Sequence, residues 1–248
     1  MRALNLIVAA AGIAAALGGT ARALDDYDVC LEMIATDPER AEREAGDWAR
    51  FGGGAPARHC YALALLGIGA QSRGIDELLG IAVEETGLEP AARADILIQA
   101  GELLLDEPDP VTALVVAEQA LRLDAWNVGA LTLRARVRMA NGDSRAALRD
   151  LEAALQYQPG SARLLTLRAS VHRRLGRYIE ARDDAAFATE SSPQSAPAWL
   201  ERGRAEAALR DRKAARFSFL EAIALDRDGS VGTSARLALQ RMDAGLEE

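Results

Sequence analysis

Large apolar, small and polar positions recur along this chain with a period of 34, and within each period the apolar ones fall at helical spacing. One column holds Gly67, Gly101, Ala135, Ala169 and Gly203, and four residues before each stands Leu63, Leu97, Leu131, Leu165 or Trp199. A second column reads Leu79, Ala113, Ala147, Ala181 and Ala215, and a third reads Thr86, Ala120, Ala154, Ala188 and Ala222. The register predicts five uninterrupted units at 60–93, 94–127, 128–161, 162–195 and 196–229, each made of two helices. In the fourth unit the helices are expected over Ala162–Leu175 and Tyr178–Glu190, with Gly176 as the stop between them. Turns are expected at 106–110, at Asn141-Gly142-Asp143 and at Asp211-Arg212. Asp109-Pro110 suits a helix start, and Ser161 and Ser195 suit helix caps.

The small columns have a packing reason. Two helices joined by a short turn cross closely only where Gly or Ala lets the backbones approach. Large residues such as Leu131 and Trp199 are expected to fill the groove between neighbouring units. A lone helix pair cannot bury both faces, so stacking in sequence order is required for a continuous core. The flanks read as caps. Residues 24–59 hold a helical pair, 25–36 and 38–51, broken at Asp37-Pro38 and ending in Gly52-Gly53-Gly54, a turn or a hinge. Residues 230–248 hold one amphipathic helix at 231–245, with Leu237, Leu239 and Met242 on its apolar side.

This pattern resembles the tetratricopeptide repeat (TPR) family. In the last unit Trp199-Leu200-Glu201-Arg202-Gly203, Ala215, Phe219 and Ala222 follow the family's W-x-x-L-G, A, F and A positions. Gly176-Arg177-Tyr178-Ile179-Glu180-Ala181, closing at Pro193, is a second match. The chain departs from the family where Arg138, His172 and Glu206 replace a usual Tyr and Arg227 replaces the closing Pro, and the unit from Cys60 fits least well. The resemblance implies an all-α fold, a right-handed α-solenoid of stacked antiparallel helix pairs.

Residues 1–23 read as an export signal: Arg2 before an apolar run from Ala3 to Gly18, then Ala21-Arg22-Ala23 as a cleavage site. The run is too short to span a bilayer, so a periplasmic protein with no lasting membrane anchor is expected, starting near Leu24. Composition agrees with helices: the apolar half is largely Ala, and only 4% of the chain is aromatic. The net charge of −8 disfavours general nucleic-acid binding. That charge is uneven, with 7 basic and 21 acidic residues over 25–127 but 20 basic and 16 acidic over 128–248. Lys213 is the only Lys. Such polarity suits partners of different charge at the two ends, or solvated helix faces alone.

Little in the sequence points to catalysis. Cys30 and Cys60 are the only thiols. An even count in an exported protein favours a disulfide, and in the resembled stack their helices would be neighbours; two free buried thiols and a redox or metal role stay open. No C-x-x-C occurs. His59, beside Cys60, reads as a partly exposed residue near a helix start, and His172, amid Arg173 and Arg174, reads likewise. Glu84-Glu85 and Asp183-Asp184 read as solvated acids. No cofactor, no metal and no enzymatic activity are expected.

The family resemblance places a partner groove on the first helix of each pair. By register it would present Asp95, Gln99 and Glu102, then Thr132 and Arg136, then Arg163, Thr166, Ser170 and Arg173, and last Glu201 and Arg204. The Lys/Asn set of family members that clamp acidic C-terminal tails is not matched at these places. The arginines can fork carboxylates or phosphates, or can be solvated or paired internally. The expected role is a non-enzymatic periplasmic scaffold that holds a protein or peptide segment in envelope assembly or trafficking. The competing reading is an accessory subunit of an envelope complex governed by a Cys30/Cys60 thiol–disulfide switch.

Overall fold

A computed structural model describes residues 21–105 and 110–245. Most of the expected signal peptide and the expected turn and cap at 106–109 lie outside the described residues. The described residues form 13 helices and no strand. They are α1 (Ala21–Thr36), α2 (Pro38–Arg50), α3 (Gly54–Gly67), α4 (Gln71–Glu84), α5 (Pro90–Leu104), α6 (Pro110–Leu123) and α7 (Val128–Ala140). There follow α8 (Ser144–Tyr157), α9 (Ala162–Arg174), α10 (Tyr178–Ser191), α11 (Ala196–Ala208), α12 (Arg212–Leu225) and α13 (Ser230–Asp243). No described helix is long and apolar enough to cross a membrane.

Capping residues recur with the repeat. Asn127, Ser161 and Ser195, each 34 after the last, accept the N–H of Ala130, Leu164 and Ala198 at the starts of α7, α9 and α11. Asp143 and Asp211 do the same for α8 and α12 through Ala146 and Ala214, and Asp37 caps α2 with Pro38 in its first turn. Gly142 and Gly176 hold φ of +81° and +75°, a conformation that favours Gly, so the helix before each must stop there.

The chain divides into two compact units after Val137. In the first, α1 packs on α2 and α3, and α3–α4, α4–α5 and α5–α6 follow in order. Tyr27, Ile34, Leu63, Leu78, Ile81, Ile96 and Leu133 form its core. In the second, α9 packs on α10 and α11, and α11 packs on α12 and α13. Within the units, first helices of consecutive pairs thus lie side by side, α1 with α3, α9 with α11 and α11 with α13.

The helix starts at Val128, Ala162, Ala196 and Ser230 keep the 34-residue spacing. Earlier starts do not: α3 begins at Gly54 where the register expected Cys60, and α5 begins at Pro90. Local chemistry overrides the period at both places. Gly52 and Gly54, with φ of +93° and +63°, turn the chain into α3, whose first residue is Gly54, and Pro90 is tolerated only in a first turn. Gly67 accordingly ends α3 against Pro38 and Ile34, while Gly74 of α4 takes the close approach, to Leu66 and the Ala62 carbonyl.

In the last pair the expected small–large contact is present. A Cβ added to Gly203 would stand 2.6 Å from the ring of Phe219, which is 1% exposed. Gly203→Leu therefore overpacks this crossing and costs on the order of 1–3 kcal/mol, read as a fall in melting temperature of about 2–4 °C per kcal/mol; an unchanged melting temperature contradicts the crossing. Trp199 differs from expectation. It is half-buried at the surface, donating Nε1–H to the Pro193 carbonyl at 2.8 Å, edge-on to the exposed Phe217, with the Arg202 guanidinium 5.3 Å from its ring centre. Phe219 fills the interior, and the partly buried indole packs against that cluster from the surface.

Candidate functional site

Asp95 and Glu102 lie on α5, and Arg136 lies on α7. Asp95 is exposed and accepts a hydrogen bond from Asn127 at 3.3 Å, with its pKa raised chiefly by partial desolvation. Glu102 and Arg136, one period apart, form an ion pair. Gln99 is a correction: it is buried, and its Oε1 lies 2.7 Å from His59 Nε2. Thr132 is buried as well, its hydroxyl donating to the Val128 carbonyl at 2.6 Å.

On α9 and α11 the same sorting occurs. Arg163 is exposed and Ser170 half-buried, while Thr166 is buried and donates to the Ala162 carbonyl. Glu201 is 7% exposed and sits between two cations, taking Arg173 Nε at 3.1 Å and Arg204 Nη1 at 2.6 Å. The period thus places residues on a helix face, but how far the neighbouring helices cover them decides which reach solvent. Gln99, Thr132, Thr166 and Glu201 are buried; Asp95, Glu102, Arg136, Arg163, Ser170, Arg173 and Arg204 keep some exposure.

Both histidines are also corrections. His59 is fully buried in α3, between the Tyr27 hydroxyl at 2.6 Å from Nδ1 and Gln99. A neutral ring satisfies both contacts, with Nδ1 accepting from the phenol and Nε2–H donating to the amide oxygen. Burial holds its pKa at about 4, below the usual 6.5, against the weaker upward pull of Gln99. His172 is buried too, 3.8 Å from Asp184, and desolvation lowers its pKa. Cys60, which follows His59 in α3, forms a disulfide with Cys30 of α1, their Cα atoms 6.4 Å apart.

One polar column escaped the sequence reading. Arg138, His172 and Glu206, the departures from the family's Tyr, each face a polar partner twelve residues later on the second helix of their own pair. Arg138 binds Asp150 at 2.6 Å, His172 lies by Asp184, and Glu206 accepts from Ser218 Oγ at 2.7 Å. Arg168 also holds Asp184 through two 2.7 Å bonds, and Arg202 holds Glu206. Asp150, Asp184 and Ser218 are themselves spaced by 34, which was the available signal. Asp184 is therefore a partly buried ion-pair acceptor and no freely solvated acid.

Residues 196–228 match the tetratricopeptide repeat family model. No curated protein matches by sequence. Among solved structures, the hetero-tetramer Cut9–Hcn1 of the APC/C matches with TM-score 0.67 and 14% identity, over 89% of this chain and 42% of that one. MamA 41-end from Desulfovibrio magneticus RS-1 matches with TM-score 0.55 and 19% identity, over 78% and 98%. YrrB, described as a TPR protein with an unusual peptide-binding site, matches with TM-score 0.55 and 20% identity, over 82% and 98%. These likenesses establish the fold. One repeat, residues 196–228, is matched in sequence, and the chain shares the helix-pair fold of these tetratricopeptide-repeat structures along most of its length.

Proposed function

We propose that this protein is a non-enzymatic scaffold that holds a protein or peptide segment on the first helices of its pairs, and that it does so in the periplasm, in envelope assembly or trafficking. The observation that carries the reading is the adjacency of first helices, α9 beside α11 and α11 beside α13, with partly exposed arginines along them. Side-by-side helices offer one extended face with side chains at regular spacing, which suits a segment of chain better than a small molecule. YrrB, of like fold, has a peptide-binding site. Export is supported by the sequence of residues 1–23 and by the disulfide, since such bonds persist in oxidising compartments. Cys60 is 0% and Cys30 7% exposed. Exchange needs an accessible sulfur, so the bond is read as a structural staple in preference to a switch.

Crosslinked affinity purification of the full chain from the envelope of the cells that make it tests the reading. A protein joined through α9 or α11, recovered on a mature chain starting near Leu24, is the expected result. A chain retaining residue 1 in the cytosolic fraction contradicts the location, and crosslinks confined to α10 and α12 contradict the face.

A further inference from the structure

The second unit contains a cleft of about 450 Å³ between α9, α11 and α13, within the size range of ligand-binding clefts. Its floor is apolar. Phe219 and Met242 are each 1% exposed beneath it, and Leu237 stands at its mouth 49% exposed. Its rim is cationic, made by Arg173, Arg174, Arg204 and Arg241.

Those four guanidiniums are poorly neutralised. Arg173 and Arg204 share the single carboxylate of Glu201, which fixes both forks side by side and leaves N–H donors on each unused. Arg174 is anchored by the Met139 carbonyl at 2.7 Å, which sets its position without cancelling its charge. Arg241 is exposed and makes no ion pair or hydrogen bond among the described residues. An excess of fixed positive charge around an apolar floor asks for a ligand with the opposite arrangement.

We propose that this cleft binds an acidic peptide segment bearing one large apolar side chain. The apolar side chain seats against Leu237, above the buried Phe219 and Met242, and flanking carboxylates are taken by the arginine forks, whose geometry matches carboxylates bidentately. The inference rests on the peptide-scaffold reading and goes past it by fixing the site at α9–α11–α13 and the charge of the segment. A polyphosphate would satisfy the rim but leave the floor uncovered. A flat membrane surface would meet the rim but not reach the floor.

The test uses the full chain on an immobilised array of random octapeptides, with phosphatidylglycerol vesicles and inorganic polyphosphate as separate arms. Bound peptides are expected to be enriched in Asp and Glu around a Leu, Ile, Phe or Met. Raising salt from about 0.05 M to about 0.5 M should weaken binding, because the rim is solvent-exposed. Arg241→Glu, at a site with no internal partner to lose, should weaken acidic peptides on the order of tenfold, and Leu237→Ser should erase the apolar preference; unchanged circular dichroism establishes that both variants fold. Binding without acidic enrichment, or enrichment indifferent to Arg241→Glu, overturns this site while leaving a peptide scaffold intact. Arg241-dependent binding of vesicles or polyphosphate without peptides overturns the choice of ligand. No peptide bound, together with no protein recovered by crosslinking, removes both readings.

Discussion

Cys30→Ala with Cys60→Ala is expected to cost about 3–4 kcal/mol of stability, the largest effect of any change considered for this protein. The bond closes a loop with a sequence separation of 30, and the chain-entropy relation gives that magnitude for the freedom removed from the unfolded state. α1 packs on α2 and α3, so the staple holds the first described helix against fraying. Reducing the wild-type protein under denaturing conditions and refolding it without oxidant should reproduce the variant's melting temperature, and reductant should leave the variant unmoved. Amide exchange should show protection lost first in α1. A variant melting within a degree or so of wild type would contradict a stabilising bond, and reductant alone would then have no target.

The fold was legible because the repeat is written in small, large and capping residues that keep their kind at fixed spacing. Gly203 against Phe219 and the capping series Asn127, Ser161 and Ser195 do their work through local geometry, which spacing alone reveals. Where the first units depart, the sequence carried the reason as well, in Gly52-Gly53-Gly54 and Pro90, but the 34-residue register masked it. The candidate face was less legible. A register assigns a residue to a side of a helix but cannot weigh how far a neighbouring helix covers it. Gln99 was expected at a surface and is buried by α3, where His59 needs its oxygen. Glu201 was expected to present a carboxylate and instead spends both oxygens on Arg173 and Arg204. The Arg138, His172 and Glu206 column shows the opposite lesson, since what looked like loss of a consensus Tyr is a polar pairing carried to the second helix in step.

Acidification should weaken the wild-type protein between pH 6.5 and about 4 by up to about 3 kcal/mol more than it weakens His59→Gln. The folded state holds the His59 pKa at about 4, against an ordinary 6.5, because burial penalises the imidazolium. Below pH 6.5 the unfolded chain takes up a proton that the folded chain refuses, so the unfolded state binds more protons and stability falls with pH. The loss is complete once the pH passes about 4, where the folded ring also protonates, and each unit of separation is worth 1.36 kcal/mol. Nothing adjacent offsets it: the Tyr27 phenol, its own pKa raised by burial and by Asp28, stays neutral, and Gln99 carries no charge. Gln in place of His59 keeps a donor and an acceptor while removing the titration, so carboxylate effects common to both proteins cancel in the difference. Urea unfolding at a series of pH values supplies that difference directly. Parallel curves for the two proteins would mean that His59 is charged or solvated in the fold, and that the buried Tyr27–His59–Gln99 chain is not how α1, α3 and α5 are joined.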